Sequence, residues 1–453
     1  MSEQKRILIA VLITSFICPF MGSSINIAVP TMAIEFNLNP DIITWIVNAY
    51  LIGSATVLLP FGRLADIKGR RKIYLIGLGC VCITTLLCVL MQNFYLFVFV
   101  RFLQGLSMSM IFGTSMALLV SCYPATNRGK IIGLSAACTY SGLSFGPFLG
   151  GFITDFFGWR MIFLSTGLIL VCNFLLLCRI KKEWYGDKDN KFDLSGSIIY
   201  SVMIILFLYS LSDWTRHEIV HYLPLVSLVL FVLFIIEEKR AKSPLIKLAL
   251  FKNTVFSMSN LAALIHYSAT FALSFVLSLY LQLVRGMDAF SAGSFLLIQP
   301  LMMALFSPKA GALSDKFSPR IIASTGMGIM MCGLFYFSFL SQNTPFIFIG
   351  INLAFIGFGF ALFSAPNNNA IMSSVKSEYY GVASSILAVM RLTGQAISMS
   401  LVTLLLSIFT ANTVGNIYID ELLISFHYIF SIFSILCIFA LVASLMRGKE
   451  INK

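Results

Sequence analysis

The sequence predicts an all-α integral membrane protein that crosses the bilayer fourteen times, and three observations carry that expectation. Apolar residues make up 58% of the chain and charged ones 11%, with a mean hydropathy of +0.91. A soluble domain is closer to about half apolar and a quarter charged. The apolar residues gather into runs of membrane-spanning length, and the basic residues crowd into every second connection between those runs.

A spanning helix needs about 20 mostly apolar residues, because about 30 Å of hydrocarbon offers backbone N–H and C=O groups no partner outside the chain. Fourteen such segments lie near 7–30, 42–61, 73–92, 95–121, 130–154, 160–179, 194–212, 221–236, 254–283, 290–307, 320–340, 345–365, 379–408 and 423–446. The first follows Lys5 and Arg6, lacks a small-residue cleavage site and carries Ser23, Ser24 and Asn26. It therefore reads as a retained helix and not a signal peptide. The connections leave no room for a soluble catalytic domain, so no enzyme is expected. A nucleotide-driven pump is disfavoured, because no Gly-x-x-x-x-Gly-Lys-Ser/Thr string occurs.

Of the 31 Lys and Arg residues, 26 fall in the N-terminus, the even-numbered connections and the C-terminal tail. Three lie in the odd connections, Arg160, Arg216 and Arg285, and two, Arg101 and Arg391, fall inside helices. Positive charge marks the cytoplasmic side, so both termini are expected there, in a cell membrane of the bacterial inner-membrane kind. The net charge of +12 then reflects topology and contact with anionic lipid, and no nucleic acid is expected as a partner. Ten cysteines lie in or beside apolar helices as small hydrophobes, and four histidines show no ligand spacing. Neither a metal nor a cofactor is expected.

The chain repeats itself weakly. Gly62-Arg-Leu-Ala-Asp66 returns as Gly311-Ala-Leu-Ser-Asp315, 249 residues later, and Gly129 and Gly142 return as Gly381 and Gly394 at an offset of 252. This predicts an N-terminal six-helix bundle over 1–182, two inserted helices with basic linkers over 183–252, and a C-terminal six-helix bundle over 253–453. Parallel six-helix repeats are the arrangement associated with alternating access around a midplane site.

The eleven residues Gly62-Arg63-Leu64-Ala65-Asp66-Ile67-Lys68-Gly69-Arg70-Arg71-Lys72 resemble the signature loop between helices 2 and 3 of the major facilitator superfamily. Trp45, Tyr50 and Pro60 ahead of them resemble its 14-helix drug:proton antiporter branch, as do Arg101-Phe-Leu-Gln104-Gly105 in helix 4 and Trp159-Arg160 before helix 6. Gly142-Leu-Ser-Phe-Gly146-Pro147-Phe-Leu-Gly150-Gly151 in helix 5 resembles the motif of exporters that exchange substrate for a cation. In the second half the resemblance rests on Asp315, Pro366-Asn-Asn-Asn369, Gly381 and Arg391. It implies a major facilitator fold, a monomer, and a secondary antiporter exporting amphipathic drugs or toxic organic compounds for protons or sodium. A narrow-substrate exporter, tetracycline-like or for a metabolite, stays open beside it, as does, more remotely, a membrane sensor that transports nothing.

Residue roles follow from chemistry and resemblance together. In the Gly62 loop, glycine permits a sharp turn, and Asp66 is expected to accept from a helix N-terminus or to pair with Arg128. With Arg63, Gly69, Arg70 and the echo at Asp315, these residues form the expected conformational gate. Arg101 is costly in hydrocarbon and so reads either as functional, with a role in proton coupling implied by the resemblance, or as snorkelling outward from the helix end. Many members of the branch carry an aspartate nine residues before the helix-1 proline; here Met21 stands nine residues before Pro30. All nineteen acids fall in loops or near helix ends, which leaves Asp155 as the candidate proton or cation carrier. Gly142, Gly146 and Gly150, spaced by four, share a helix face, and with Pro147 and Gly151 they are expected to occlude the pathway by packing between the halves. Buried polar candidates for the substrate cavity are Asn26, Gln104, Tyr140, His266, Asn368 and Arg391. Flexible methionines and aromatics suit the rest of such a wall.

Overall fold

The computed structural model describes residues 3–38, 40–123, 125–186, 191–214, 218–241, 243–314, 317–375, 380–410 and 416–448. Long helices dominate, and no strand occurs among the described residues. In the first part these are α1 (Glu3–Phe36), the short α2 (Pro40–Ile43), α3 (Trp45–Thr56), α4 (Leu58–Lys68), α5 (Arg70–Leu90), α6 (Phe94–Cys122), α7 (Ala125–Phe157) and α8 (Arg160–Cys178). There follow α9 (Leu194–Ser212) and α10 (Leu223–Arg240), then α11 (Thr254–Thr270), α12 (Leu273–Leu279), α13 (Ala289–Leu296) and α14 (Ile298–Ser314). The last four are α15 (Pro319–Phe337), α16 (Phe346–Ser373), α17 (Tyr380–Thr410) and α18 (Asn416–Leu445).

Among the described residues twelve helices are long and apolar enough to cross a membrane, or thirteen when α3 and α4 count as one span bent by 44°. Their outward faces carry exposed large apolar residues such as Ile83, Phe99, Leu228 and Phe339. In water such patches would be a liability, and in lipid they are the expected solvent contact. The helices α1 to α8 pack mainly on one another, as do α11 to α18 except α13, which packs chiefly on α7. Between these two halves α9 touches both, whereas α10 rests on α9 and buries only Ser227, Phe234 and Glu238.

The backbone departs from the sequence expectation at the second connection. Residues Gly62 to Lys68 are not a loop but the last turns of α4, and the chain breaks only at Gly69 before α5 begins at Arg70. Gly69 has φ +112°, a region that side chains with a Cβ rarely enter. Gly62 lets α4 close on α6, where its Cα lies 3.3 Å from the position a Cβ at Gly113 would take. Three spans are interrupted part-way: at Val57 between α3 and α4, at Phe271 and Ala272 between α11 and α12, and at Leu297 between α13 and α14. The Ala272 amide is satisfied by Ser398 Oγ at 3.1 Å, as an interrupted helix in lipid requires.

Candidate transport site and its gates

The two ends of the bundle differ in chemistry. One carries Gly62 to Lys72 and most of the bases, and is called the basic end here. There Asp66 pairs with Arg70 one turn on, at 2.8 Å to Nε and 2.7 Å to Nη2, and Arg70 also donates to the Ala117 carbonyl of α6 at 3.3 Å and to Ser121. Asp66 is thus occupied by Arg70, and the side chain of Arg128 lies outside the described residues, as does Asp315. A carboxylate that the sequence reading did not select closes this site. Glu183 accepts the N–H groups of Arg71 at 2.8 Å and Lys72 at 3.1 Å, capping α5, and the Arg70 N–H bonds to the Trp184 carbonyl at 2.8 Å. Lying in a connection without periodicity, Glu183 gave no pattern to find it by. Arg63 is half-buried on α4.

Arg101 does not snorkel. It is 1% exposed, and its Nε donates to the Ile46 carbonyl at 3.0 Å while Nη1 donates to Gln104 Oε1. Its guanidinium lies 4.6 Å from the Tyr50 ring centroid and 5.8 Å from that of Phe163. Gln104 then donates to Thr85 Oγ1 at 2.6 Å and approaches Met21 Sδ at 3.7 Å. The position where the resemblance leads one to expect an acid therefore abuts the amide that holds Arg101. Gln104 is fully buried inside the first half, so it belongs to the support of Arg101 and not to a cavity wall.

The helix-5 glycines divide their work. Gly142, Gly146 and Gly150 pack on α1 within their own half: a Cβ at Gly142 would overlap the Phe16 carbonyl, and one at Gly150 would lie 2.6 Å from Ser24 Cβ. The expectation that this face meets the other half is corrected here, because spacing of four defines a face but not its neighbour. Gly151 and Pro147 do meet the other half. A Cβ at Gly151 would overlap the Ala289 carbonyl, and one at Gly293 the Pro147 carbonyl. Asp155, exposed at the end of α7, accepts the Phe290 amide of α13 at 2.7 Å. It caps a helix of the opposite half.

Hydrogen bonds join the two halves directly. Towards the end opposite the basic one these include Asn48 to Thr403 at 2.7 Å, Thr403 to Thr44 at 2.9 Å, Gln282 to the Ile27 carbonyl at 2.9 Å, and Phe290 to Asp155. A central one links Tyr140 Oη with Ser364 Oγ at 3.2 Å. Around it gather two more expected cavity residues. The Tyr267 hydroxyl lies near Ser364 and Arg391, and the fully buried His266 ring lies 4.2 Å from Phe363 and 4.7 Å from Phe360. Asn26 is 5% exposed on α1, with its Oδ1 unpaired. Asn368 is exposed, whereas its neighbour Asn367 is buried against Arg447. Tyr267 and Ser364 were missed by sequence reasoning; the one available signal was adjacency to His266 and Pro366. No group of three or more His, Cys, Asp or Glu side chains able to hold a metal occurs among the described residues.

The sequence profile of the Major Facilitator Superfamily matches residues 11–399 and 261–452. The chain belongs to this superfamily. It is a multi-pass membrane transporter and not an enzyme. This superfamily member is 30% identical over 394 residues to the riboflavin transporter RibZ of Clostridioides difficile, covering 86% of each chain. It is 28% identical over 398 residues to the multidrug resistance protein Stp of Mycobacterium tuberculosis, covering 86% of this chain and 73% of that one. Among solved structures, an inward-facing, unoccupied bacterial homologue of the human lysosomal transporter Spinster superposes with a TM-score of 0.71 over 98% of both chains, at 16% identity. That likeness is one of fold.

Proposed function

We infer that this protein is a secondary active antiporter that exports amphipathic organic compounds in exchange for protons or sodium. The observation that carries this reading is the one-sided distribution of bonds between the halves. They seal the end opposite the basic one and the centre. With the basic end cytoplasmic by its positive charge, this is the inward-open state of an alternating-access cycle, and both termini are cytoplasmic. The 33-residue α7, taken as a further span beside the twelve or thirteen apolar ones, supports the reading of fourteen. Rocking the halves breaks the Asp155 and Thr403 bonds at the outer end and closes the Gly62 to Lys72 region at the inner one. Arg101 serves coupling through Tyr50 and Gln104, and Asp155 serves the outer gate.

The test is substrate movement in everted vesicles under imposed pH and sodium gradients in turn. Gradient-driven accumulation of amphipathic dyes is expected, and its absence under both gradients overturns antiport. A narrower reading, export of one metabolite class, is favoured by similarity to a riboflavin transporter and by Met21 in the place of the helix-1 acid. Under that reading riboflavin competes with dye transport; under the broad one, structurally unrelated drugs do so equally well.

A further inference from the structure

The central cluster has a sign. Arg391 on α17 is half-buried beside the Tyr267 hydroxyl, and no carboxylate pairs with it among the described residues. The sequence places no acid mid-helix from which a partner could come. A cation in a low-dielectric site that lacks a counter-charge leaves room for one supplied by a ligand. Arginine presents a planar fork of donors suited to carboxylate, phosphate or sulfonate.

The rest of the cluster favours a flat ring. Tyr267 and Phe360 are half-buried, with ring centroids 6.1 Å apart, and Phe363 and His266 lie behind them. Both nitrogens of the fully buried His266 lack a hydrogen-bond partner, as does the buried Ser144 Oγ, one turn along α7 from Tyr140. Buried polar atoms are rarely left unpaired without a reason. A neutral imidazole offers one donor and one acceptor, which a heteroatom-bearing ring satisfies. The interruption of the span at Phe271 and Ala272 falls one turn beyond Tyr267, the kind of broken helix at which transporters of this architecture bind their cargo.

We propose that Arg391, with Tyr140, Tyr267, Ser364 and His266, forms a subsite for planar aromatic compounds that carry an anionic group, and that it disfavours organic cations. This rests on the transport reading above for its physiological meaning, but the binding itself does not. Purified protein in lipid nanodiscs is titrated with fluorescein, a planar dianion at neutral pH, and with ethidium, a planar cation, by fluorescence anisotropy. Fluorescein is expected to bind about tenfold tighter than ethidium. Arg391→Gln should weaken fluorescein about tenfold and leave ethidium unchanged or tighter, whereas Arg391→Lys should retain part of the affinity.

Ethidium binding as tight as fluorescein, or equal fluorescein affinity in wild type and Arg391→Gln, overturns the subsite. Should Arg391→Gln fail to fold by size exclusion, Tyr267→Phe removes only the hydroxyl beside Arg391. A roughly threefold loss for fluorescein alone is then expected, and no selective loss overturns the proposal. Arg391-dependent binding without movement under any gradient would instead sink antiport and leave the subsite standing.

Discussion

Asp155 on one half accepts the backbone amide of Phe290 on the other at 2.7 Å, so a single carboxylate closes the first turn of a helix it is not covalently near. Beside it Asp288 caps the same helix through the Ser291 amide at 2.6 Å, and that bond holds its carboxyl below the usual aspartate range. The sign of the linkage follows. The Asp288 contribution is complete above the ordinary aspartate pKa and is lost as the pH falls through the lowered value, so acid loosens the start of α13.

For Asp155 the expected outcome of substitution is conformational. An anion at a helix N-terminus is worth about 0.3–1 kcal/mol at an exposed site, so Asp155→Asn should raise the outward-open population about two- to fivefold. Spin labels on the outer ends of α7 and α13 would report the change as a longer-distance component. An unaltered distance distribution would mean that the bond does not hold the gate.

The two kinds of glycine on α7 should separate in a stability assay. Gly150→Val drives two methyls into Ser24 of α1 and should cost about 1–3 kcal/mol, lowering the thermal midpoint of the detergent-solubilised protein. Gly151→Ala meets the Ala289 carbonyl of the opposite half. It should leave the midpoint nearly unchanged and favour the open outer gate instead, seen as faster labelling of a cysteine placed at Phe290. Equal loss of stability in both variants would refute this division.

Arg101→Gln should uncouple transport. It strands the Ile46 carbonyl and Gln104 Oε1, a cost of about 1–3 kcal/mol for each buried group left unpaired, and it removes the one fully buried charge of the first half among the described residues. The readout is the ratio of substrate moved under a proton gradient to substrate exchanged without one, which falls if Arg101 couples. A proportional fall in both rates would mark a purely structural role.

Glu183→Ala should fray the start of α5. Loss of an N-terminal cap typically costs about 1 kcal/mol, and here two amides, of Arg71 and Lys72, lose their acceptor. Faster limited proteolysis between residues 179 and 186 is the expected sign. The same segment should loosen in Gly69→Ala, whose Cβ would be forced to φ +112° and to within 2.5 Å of the Glu183 carboxyl.

What could be read from the chain follows from the length scale of each signal. Hydrophobic runs are averages over many residues, so the membrane class and twelve to thirteen of the fourteen expected spans were legible. The helical state of Gly62 to Lys68 was not, because the two glycines and five bases of Gly62 to Lys72 resemble a loop until α6 packs against them. Spacing showed that Gly142, Gly146 and Gly150 share a face, but a face does not name the helix it meets. Glu183, Tyr267 and Ser364 act through partners far along the chain, at Lys72, Arg391 and Tyr140. No local pattern encodes such a meeting.

The placement of α9 has a consequence for how cargo reaches the protein. Tyr200 and Ser201 bond to the Ala55 and Thr56 carbonyls on one side of the line where α3 faces α17, at 3.0 Å each, and Ser212 bonds to Ser400 on the other at 2.9 Å. At 19 residues and 1.5 Å per residue, α9 is about 28 Å long, nearly the full hydrocarbon depth. One seam between the halves, where α3 faces α17, is therefore covered by α9, whereas on the opposite flank α7 packs directly on α13 and α14. For a compound arriving through the bilayer the two seams differ: one lies behind a bonded helix, the other is a bare helix-to-helix contact.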